Sequence, residues 1–445
     1  MIYFIVGVRG DMGKRQYIKG FLLSLLIGLW LCTSLYAQTN IITTASGDGK
    51  SYTVQFKGDK ALLSRDGSIA VPVVSGTKIT KPGNYYLSLY EDTGLRVVTF
   101  TIKSQMKDSW NITKESDLNE AIKSCLENYQ KSVTFNFKYQ TSMNQIEAIL
   151  AKYVQEVTDT YPMLMIQNFY GKVYKDNKGN LSAQISFKYP LQVINTLKKY
   201  DKQALGSMNN MVNTFVKPHM KDYEMEQVLL MELMNGVTYS LHEDASINAT
   251  SMTHTLQGAF IGDKRIVCDG YAKAFMHLMN MVGVPTQLIT GTSTDSSGES
   301  VGHAWNLIKI QGAYYHVDST WADQHFEELG LYDYINEQDT YMAKDHVWDR
   351  TQYPKAITLG YTFPNSPVTV NQVTKVASPN ELEAGIEKVK SQQKGNGTLI
   401  LQKQSEWQWD KEEIAQRLYE VLDSGYSCYG EEKYDCVIIY YLKDE

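Results

Sequence analysis

Three short runs of this 445-residue chain carry side chains that could do chemistry together. The first is Val267-Cys268-Asp269-Gly270-Tyr271-Ala272-Lys273-Ala274-Phe275, preceded by the turn Gly262-Asp263-Lys264. From Cys268 onward Ala272, Phe275, Leu278, Met279 and Val282 recur at helical spacing. Cys268 therefore stands at a helix N-terminus, where unpaired amides and the macrodipole favour an anion, here a thiolate. The second run, Gly302-His303-Ala304-Trp305-Asn306, opens a strand. The third, Tyr314-Tyr315-His316-Val317-Asp318, returns antiparallel after the tight turn Gln311-Gly312. A strand from Val284 to Thr290 and a polar loop from Gly291 to Ser300 lie between the first run and the second.

Strand arithmetic relates the last two runs. If Ile310 pairs with Ala313, His303 lies opposite Thr320 and Trp305 opposite Asp318. His303 and Asp318 then share one face, diagonally across the pair, at a separation that an imidazole and a carboxylate bridge. This is the logic of cysteine nucleophilic catalysis. The thiolate of Cys268 attacks an acyl carbon, His303 pairs with it and carries the proton, and Asp318 fixes the imidazole tautomer. Amides at the helix start, including that of Cys268, offer an oxyanion site. His316 shares the predicted face with Asp318 and is the competing base.

Blander readings exist for each residue alone. A cysteine among apolar residues is commonly a core thiol, and a strand histidine is commonly structural. All eight histidines lie between His219 and His346. A metal site would draw on His316, Asp323, His325 and His346, whose spacing matches no common ligand set, and there is no Cys-x-x-Cys pair. Neither a metal nor a cofactor is expected.

Cys268-Asp269-Gly270-Tyr271-Ala272, Gly302-His303-Ala304-Trp305-Asn306 and Tyr315-His316-Val317-Asp318-Ser319-Thr320-Trp321 resemble, in order and spacing, the three motifs of the bacterial transglutaminase-like superfamily. The likeness runs from about Tyr223 to Pro354. It implies a papain-like α+β core, a nucleophile helix against an antiparallel sheet, with Cys268, His303 and Asp318 as the triad. Asp269 stands where Glu or Arg is frequent. Tyr239 is similar to a position near the oxyanion hole of some members. The family includes non-enzymatic binding domains as well as enzymes.

The elements that must position these runs follow from the rest of the chain. Hydrophobic residues make up 43% and charged residues 21%, which excludes disorder and a multispan membrane protein. The net charge of −6 gives no cationic footprint for nucleic acid. Residues 1–37 read as a signal peptide: Lys14, Arg15 and Lys19 precede an apolar stretch from Phe21 to Leu31, and Ala37 offers a small residue at the cut. The mature protein is then expected to be extracytoplasmic, without a membrane span. Residues 38–106 alternate as short strands (Tyr85, Leu87, Leu89; Val98, Phe100, Ile102) and read as a small β-sandwich. The stretch from Gly76 to Lys103, with Ile79, Pro82-Gly83, Tyr86 and Thr99-Phe100-Thr101-Ile102, resembles bacterial immunoglobulin-like modules.

Residues 107–218 form an α/β lead-in unit, 219–365 the core and 366–445 a C-terminal α/β unit. The two flanking units share a spacing of helix, strand and helix: Leu118 and Ile122 against Leu382 and Ile386, then Thr134–Phe137 against Thr398–Leu401. This suggests an internal duplication. Ser142-x-x-Gln145 is a capping box, and Ser378-Pro379-x-Glu381 is a helix start. Cys428 and Cys436 could close a short disulfide loop. Two functions follow. One is an exported cysteine-dependent acyl-transfer enzyme on peptide or amide bonds of protein or peptide substrates, cell-surface ones included, with hydrolysis favoured over cross-linking. The other is a non-catalytic surface binding or scaffolding protein with the same fold.

Overall fold

A computed structural model of the protein describes residues 42–44, 49–57, 60–92, 94–240, 252–294, 298–329, 333–363, 365, 372–392, 395–422 and 425–443. The expected signal peptide lies outside the described residues. The fold is mixed α+β, and every described element belongs to one unit, Ile41–Glu445.

Seven strands open it: β1 (Ile42–Thr44), β2 (Tyr52–Val54), β3 (Lys60–Arg65), β4 (Val71–Pro72), β5 (Lys78–Ile79), β6 (Gly83–Glu91) and β7 (Gly94–Ile102). They form two antiparallel sheets, β1-β2-β5 and β4-β3-β6-β7. Val54, Leu87, Leu89, Phe100 and Ile102 fill a common core, as the alternation predicts. The other face of β6 is also buried: Tyr86 and Ser88, expected at polar or edge positions, pack on the helix that starts at Cys268. Residue type at period two could not reveal this, because Tyr and Ser suit either a wet face or a hydrogen-bonded contact.

Next come β8 (Ser109–Ile112), α1 (Asp117–Glu127), β9 (Ser132–Phe137), α2 (Met143–Thr160), β10 (Asn168–Lys175) and β11 (Leu181–Lys188). The capping box at Ser142 forms: Gln145 N–H donates to Ser142 Oγ, and Ser142 N–H donates to Gln145 Oε1. The sheet order is β8-β9-β11-β10, with β8 and β9 parallel. Helix α3 (Ile194–Phe215) then leads into the core, with Leu197 in this unit's core and Ala204, Met208 and Val212 in the central one.

The central elements are α4 (Asp222–Gly236), β12 (Thr238–Tyr239), β13 (Arg265–Ile266), α5 (Cys268–Met281), β14 (Thr286–Thr294), β15 (Ser300–Ile310), β16 (Ala313–Val317), α6 (Ser319–Leu329), β17 (Ile335–Glu337), α7 (Asp339–Met342) and β18 (His346–Val347). Helix α5 packs its apolar face on the sheet β17-β16-β15-β14-β18. The expected Ile310–Ala313 register is present. Two expectations are corrected. The polar loop is shorter than Gly291–Ser300, because Gly291 to Thr294 pair with Ser300 to His303; β-branched threonines with an antiparallel partner outweigh turn composition. The ladder also stops at Val317, so Thr320 lies in α6 and His303 pairs with Gly291 instead.

The chain ends with β19 (Gln372–Val376), α8 (Leu382–Gln392), β20 (Gly397–Gln402), α9 (Lys411–Val421), β21 (Tyr426–Lys433) and β22 (Cys436–Lys443). The order β19-β20-β22-β21, with β19 and β20 parallel, repeats that of the β8-to-β11 sheet strand for strand. Cys428 and Cys436 are free thiols. Cys436 pairs with Lys433 while Cys428 pairs with Tyr441, five positions along the ladder, roughly 16 Å at strand rise and far beyond disulfide reach.

Candidate active site

Cys268 is the first residue of α5, after an extended Val267 that makes no side-chain cap. The turn into the helix is tight. A Cβ at Gly270 would lie 2.7 Å from the Thr253 carbonyl oxygen and 2.9 Å from Ile266 Cβ, so glycine is required two residues after the thiol. Asn306 Nδ2 on β15 donates to the Ala272 carbonyl of α5 at 3.0 Å. That buried bond fixes the sheet against the helix one turn beyond Cys268, and so sets the gap between Cys268 and His303.

His303 Nε2 lies 2.6 Å from Asp318 Oδ2, and both side chains are buried. This leaves Nδ1 for the thiol, and Cys268 is within hydrogen-bonding reach of the ring. Burial works against a charged His303, but Asp318, followed by Cys268, outweighs it and lifts the imidazole to about 10. Burial opposes the Asp318 charge too; His303 and then His346 overcome it and hold the carboxyl well below the usual range. The expected juxtaposition of His303 and Asp318 is thus present, though the residues meet beyond the end of the ladder.

Asp318 also has a second occupation. Its Oδ1 accepts from Thr320 N–H at 3.0 Å and Trp321 N–H at 3.2 Å, starting α6. Its own N–H donates to the Tyr334 carbonyl at 2.9 Å. One residue therefore closes β16 with its backbone N–H, and with its carboxylate begins α6 and orients His303.

His316, the competing base, is turned elsewhere. Its Nδ1 accepts from Trp305 Nε1–H at 3.0 Å, and its Nε2 faces Asp339 Oδ1 at 2.9 Å. Burial, in spite of Asp339, lowers its proton affinity. Of the residues weighed as a metal set, the described ones go to separate partners. Asp323 accepts from Tyr271 OH at 2.6 Å, and the His325 side chain lies outside the described residues. His346 instead meets Asp318 Oδ2 through Nε2 at 3.1 Å. The donor atoms of His303, Asp318 and His346 lie within 4.8 Å of one another, joined by hydrogen bonds.

Tyr239, on β12, is half-buried with its ring 6.5 Å from that of Tyr271. Its phenol is pushed upward by burial and then by the charges of Cys268 and Asp318. At the mouth, Asp269 in the first turn of α5 pairs with His254 Nδ1 at 2.9 Å and Lys273 Nζ at 3.3 Å. Asn306 sat inside the second run, and Asp345 and His346 inside the stretch Met342 to Trp348 that the family likeness covers, but spacing gave none of them a role.

Residues 209–319 match the family model described as Transglutaminase-like superfamily. The kyphoscoliosis peptidase of Homo sapiens is 25% identical over 176 residues, covering 37% of this chain and 25% of that protein. The Mus musculus kyphoscoliosis peptidase is 24% identical over 150 residues, 32% of this chain and 21% of its own length. The chain thus matches about a quarter of the length of these curated relatives. Among solved structures, a TGase is 12% identical over 58% of this chain and 75% of that chain, with a TM-score of 0.21. The periplasmic domain of TgpA from Pseudomonas aeruginosa is 11% identical over 36% and 66%, with a TM-score of 0.19. The chain carries a transglutaminase-like domain.

Proposed function

We propose that this transglutaminase-like protein is a cysteine-dependent acyl-transfer enzyme on peptide or amide bonds, with Cys268 as nucleophile, His303 as proton carrier and Asp318 as the orienting carboxylate. The observation that carries the reading is His303 itself, hydrogen-bonded to Asp318 at 2.6 Å on one side and within reach of Cys268 on the other. The sulfur attacks the acyl carbon, and the carbonyl electrons move onto oxygen. Collapse of that tetrahedral adduct expels the amine, which takes the proton from His303 and leaves an acyl-enzyme. His303 next takes a proton from water as it attacks the acyl carbon, and collapse of this second adduct breaks the C–S bond, releasing the carboxylic acid and the Cys268 thiolate. The amides at the start of α5 and the Tyr239 hydroxyl are the proposed oxyanion donors.

Water resolves the acyl-enzyme in this reading, because Cys268 is half-exposed and an exported site is always wet. Export through residues 1–37 and an immunoglobulin-like spacer at 38–106 complete the proposal, with surface proteins or peptides as substrates. The test incubates the purified protein with casein and a labelled primary amine. Peptide release that disappears in Cys268→Ala is expected. Amine incorporation that disappears in the same variant would turn the reading to cross-linking. A wild-type thiol that iodoacetamide alkylates no faster than a model thiol at pH 6 would favour the binding and scaffolding role.

A further inference from the structure

The acyl-transfer reading uses one contact of Asp318 Oδ2, that with His303, and the same oxygen has a second partner. His346 approaches the same Oδ2 through Nε2 at 3.1 Å, from β18 on the far edge of the sheet. Its other nitrogen, Nδ1, lies 2.5 Å from Asp345 Oδ1. Asp345 Oδ2 in turn accepts from Tyr334 OH at 2.7 Å. His303, Asp318, His346, Asp345 and Tyr334 therefore form one continuous hydrogen-bonded chain. The fold makes room for it: a Cβ at Gly291 would sit 2.1 Å from the Val347 carbonyl oxygen and 3.0 Å from the Trp305 ring. Glycine opposite His303 is what allows β18 to come this close.

An imidazole with a carboxylate on each nitrogen donates from both and is a cation. The rings of Trp321 and Trp305 enclose it at 4.7 and 4.9 Å, and it is 1% exposed. The titratable groups that face it are Asp318 and His316 from β16 and its end, His303 from β15, Tyr334 before β17, and Asp345 beside it. Burial opposes its charge, and Asp318 with Asp345 outweighs burial, so its proton affinity is raised.

We propose that His346 is a positioning residue of the acyl-transfer site: it shares Oδ2 of Asp318 with His303 and supplies the second cation that keeps this carboxylate ionised and in place. The need arises within the reaction. When His303 passes its proton to the leaving amine it becomes neutral, and the buried Asp318 loses its partner charge. With His346 still protonated the carboxylate does not take up a proton or turn away. His303 then returns in the same tautomer to accept the proton from water.

The inference rests on the acyl-transfer reading, and one experiment separates the two. The rate of Cys268 alkylation by iodoacetamide is followed against pH in the wild type, in His346→Gln and in Asp345→Asn, with melting temperatures alongside. The wild type is expected to show an acid limb, where the thiolate–imidazolium pair forms. Replacing His346 by Gln removes a positive charge near the thiolate, so that limb should move up by about half a pH unit or more. Asp345→Asn should move it the same way by less, because it removes the anion that holds His346 charged; this variant also serves if His346→Gln does not fold. A limb that stays in place in the folded variants means that His346 is only structural, and overturns the inference. So would zinc ions that slow alkylation in the wild type and not in His346→Gln, which would make the cluster a metal site. A wild type with no acid limb at all would sink the acyl-transfer reading, and the positioning role with it.

Discussion

The two four-stranded units share one strand order and one pair of crossing helices, yet they meet the core differently. In the first unit β11 alternates between buried Ala183, Ile185 and Phe187 and exposed Gln184, Ser186 and Lys188, so one face of the sheet is open. In the second, β22 is buried on both faces from Cys436 to Tyr441. Helices cover one face, and Phe363 packs with Ile400, Ile438 and Tyr440 on the other. The hydrogen bonds divide the same way. The first unit reaches the loop ahead of the nucleophile: Gln257 Nε2 donates to the Met163 carbonyl and to Asp201, each at 2.8 Å, and Tyr129 OH donates to Asp201. The second reaches the acid–base side. Lys433 is buried against Asp333 at 2.5 Å and Glu337 at 2.6 Å, the residues that bracket Tyr334. Tyr334 holds Asp318 by its carbonyl and Asp345 by its hydroxyl. The same topology thus braces opposite sides of one site, and side chains, not strand order, decide which.

The largest effect should come at the point that the second unit braces. Asp318→Asn keeps an oxygen to start α6 but puts an amide where Oδ2 held two imidazoles, which forces the wrong His303 tautomer. Activity should fall by about 10⁴, with melting temperature lowered by several degrees. His316→Ala should retain most activity, and a reversal of these two outcomes would refute the triad assignment. Lys433→Met comes next. It strands Asp333 and Glu337 without their cation, at a cost of ~3–5 kcal/mol. Activity per folded molecule should fall too, because Tyr334 loses its anchor; loss of stability alone would mean that the second unit is merely attached.

Asp201→Asn is the smallest test and the counterpart on the first unit. Burial, against bonds from Tyr129 and Gln257, raises this carboxyl to about 6. A raised carboxyl contributes stability that is full below its ordinary value near 3.8 and fades as pH rises through about 6. The variant should therefore gain on the wild type between pH 4 and 7 in thermal melts. Its alkylation rate at Cys268 should shift while the pH profile of His303 does not. A change confined to the acid–base side would erase the division between the units.

Much of the site was legible in the chain. The start of α5 at Cys268, the hairpin at Gln311-Gly312 and the Ile310–Ala313 register are local, set by turn chemistry and by periods of 3.6 and 2. So was the pairing of His303 with Asp318, because an even register keeps both on one face. The repeated strand order was half legible. Its helices and inner strands share spacing, but the leading strands β8 and β19 are short and gain their identity only from the parallel partner they find. Tertiary structure alone decided the rest. His346 lies 28 positions from Asp318 and Lys433 lies 100 from Asp333, and no periodicity links residues across such gaps. That Asp318 would serve a helix, a strand end and two imidazoles at once was likewise invisible. A carboxylate's partners are fixed by what packing brings within 3 Å of its oxygens, and burial then makes each of those bonds obligatory.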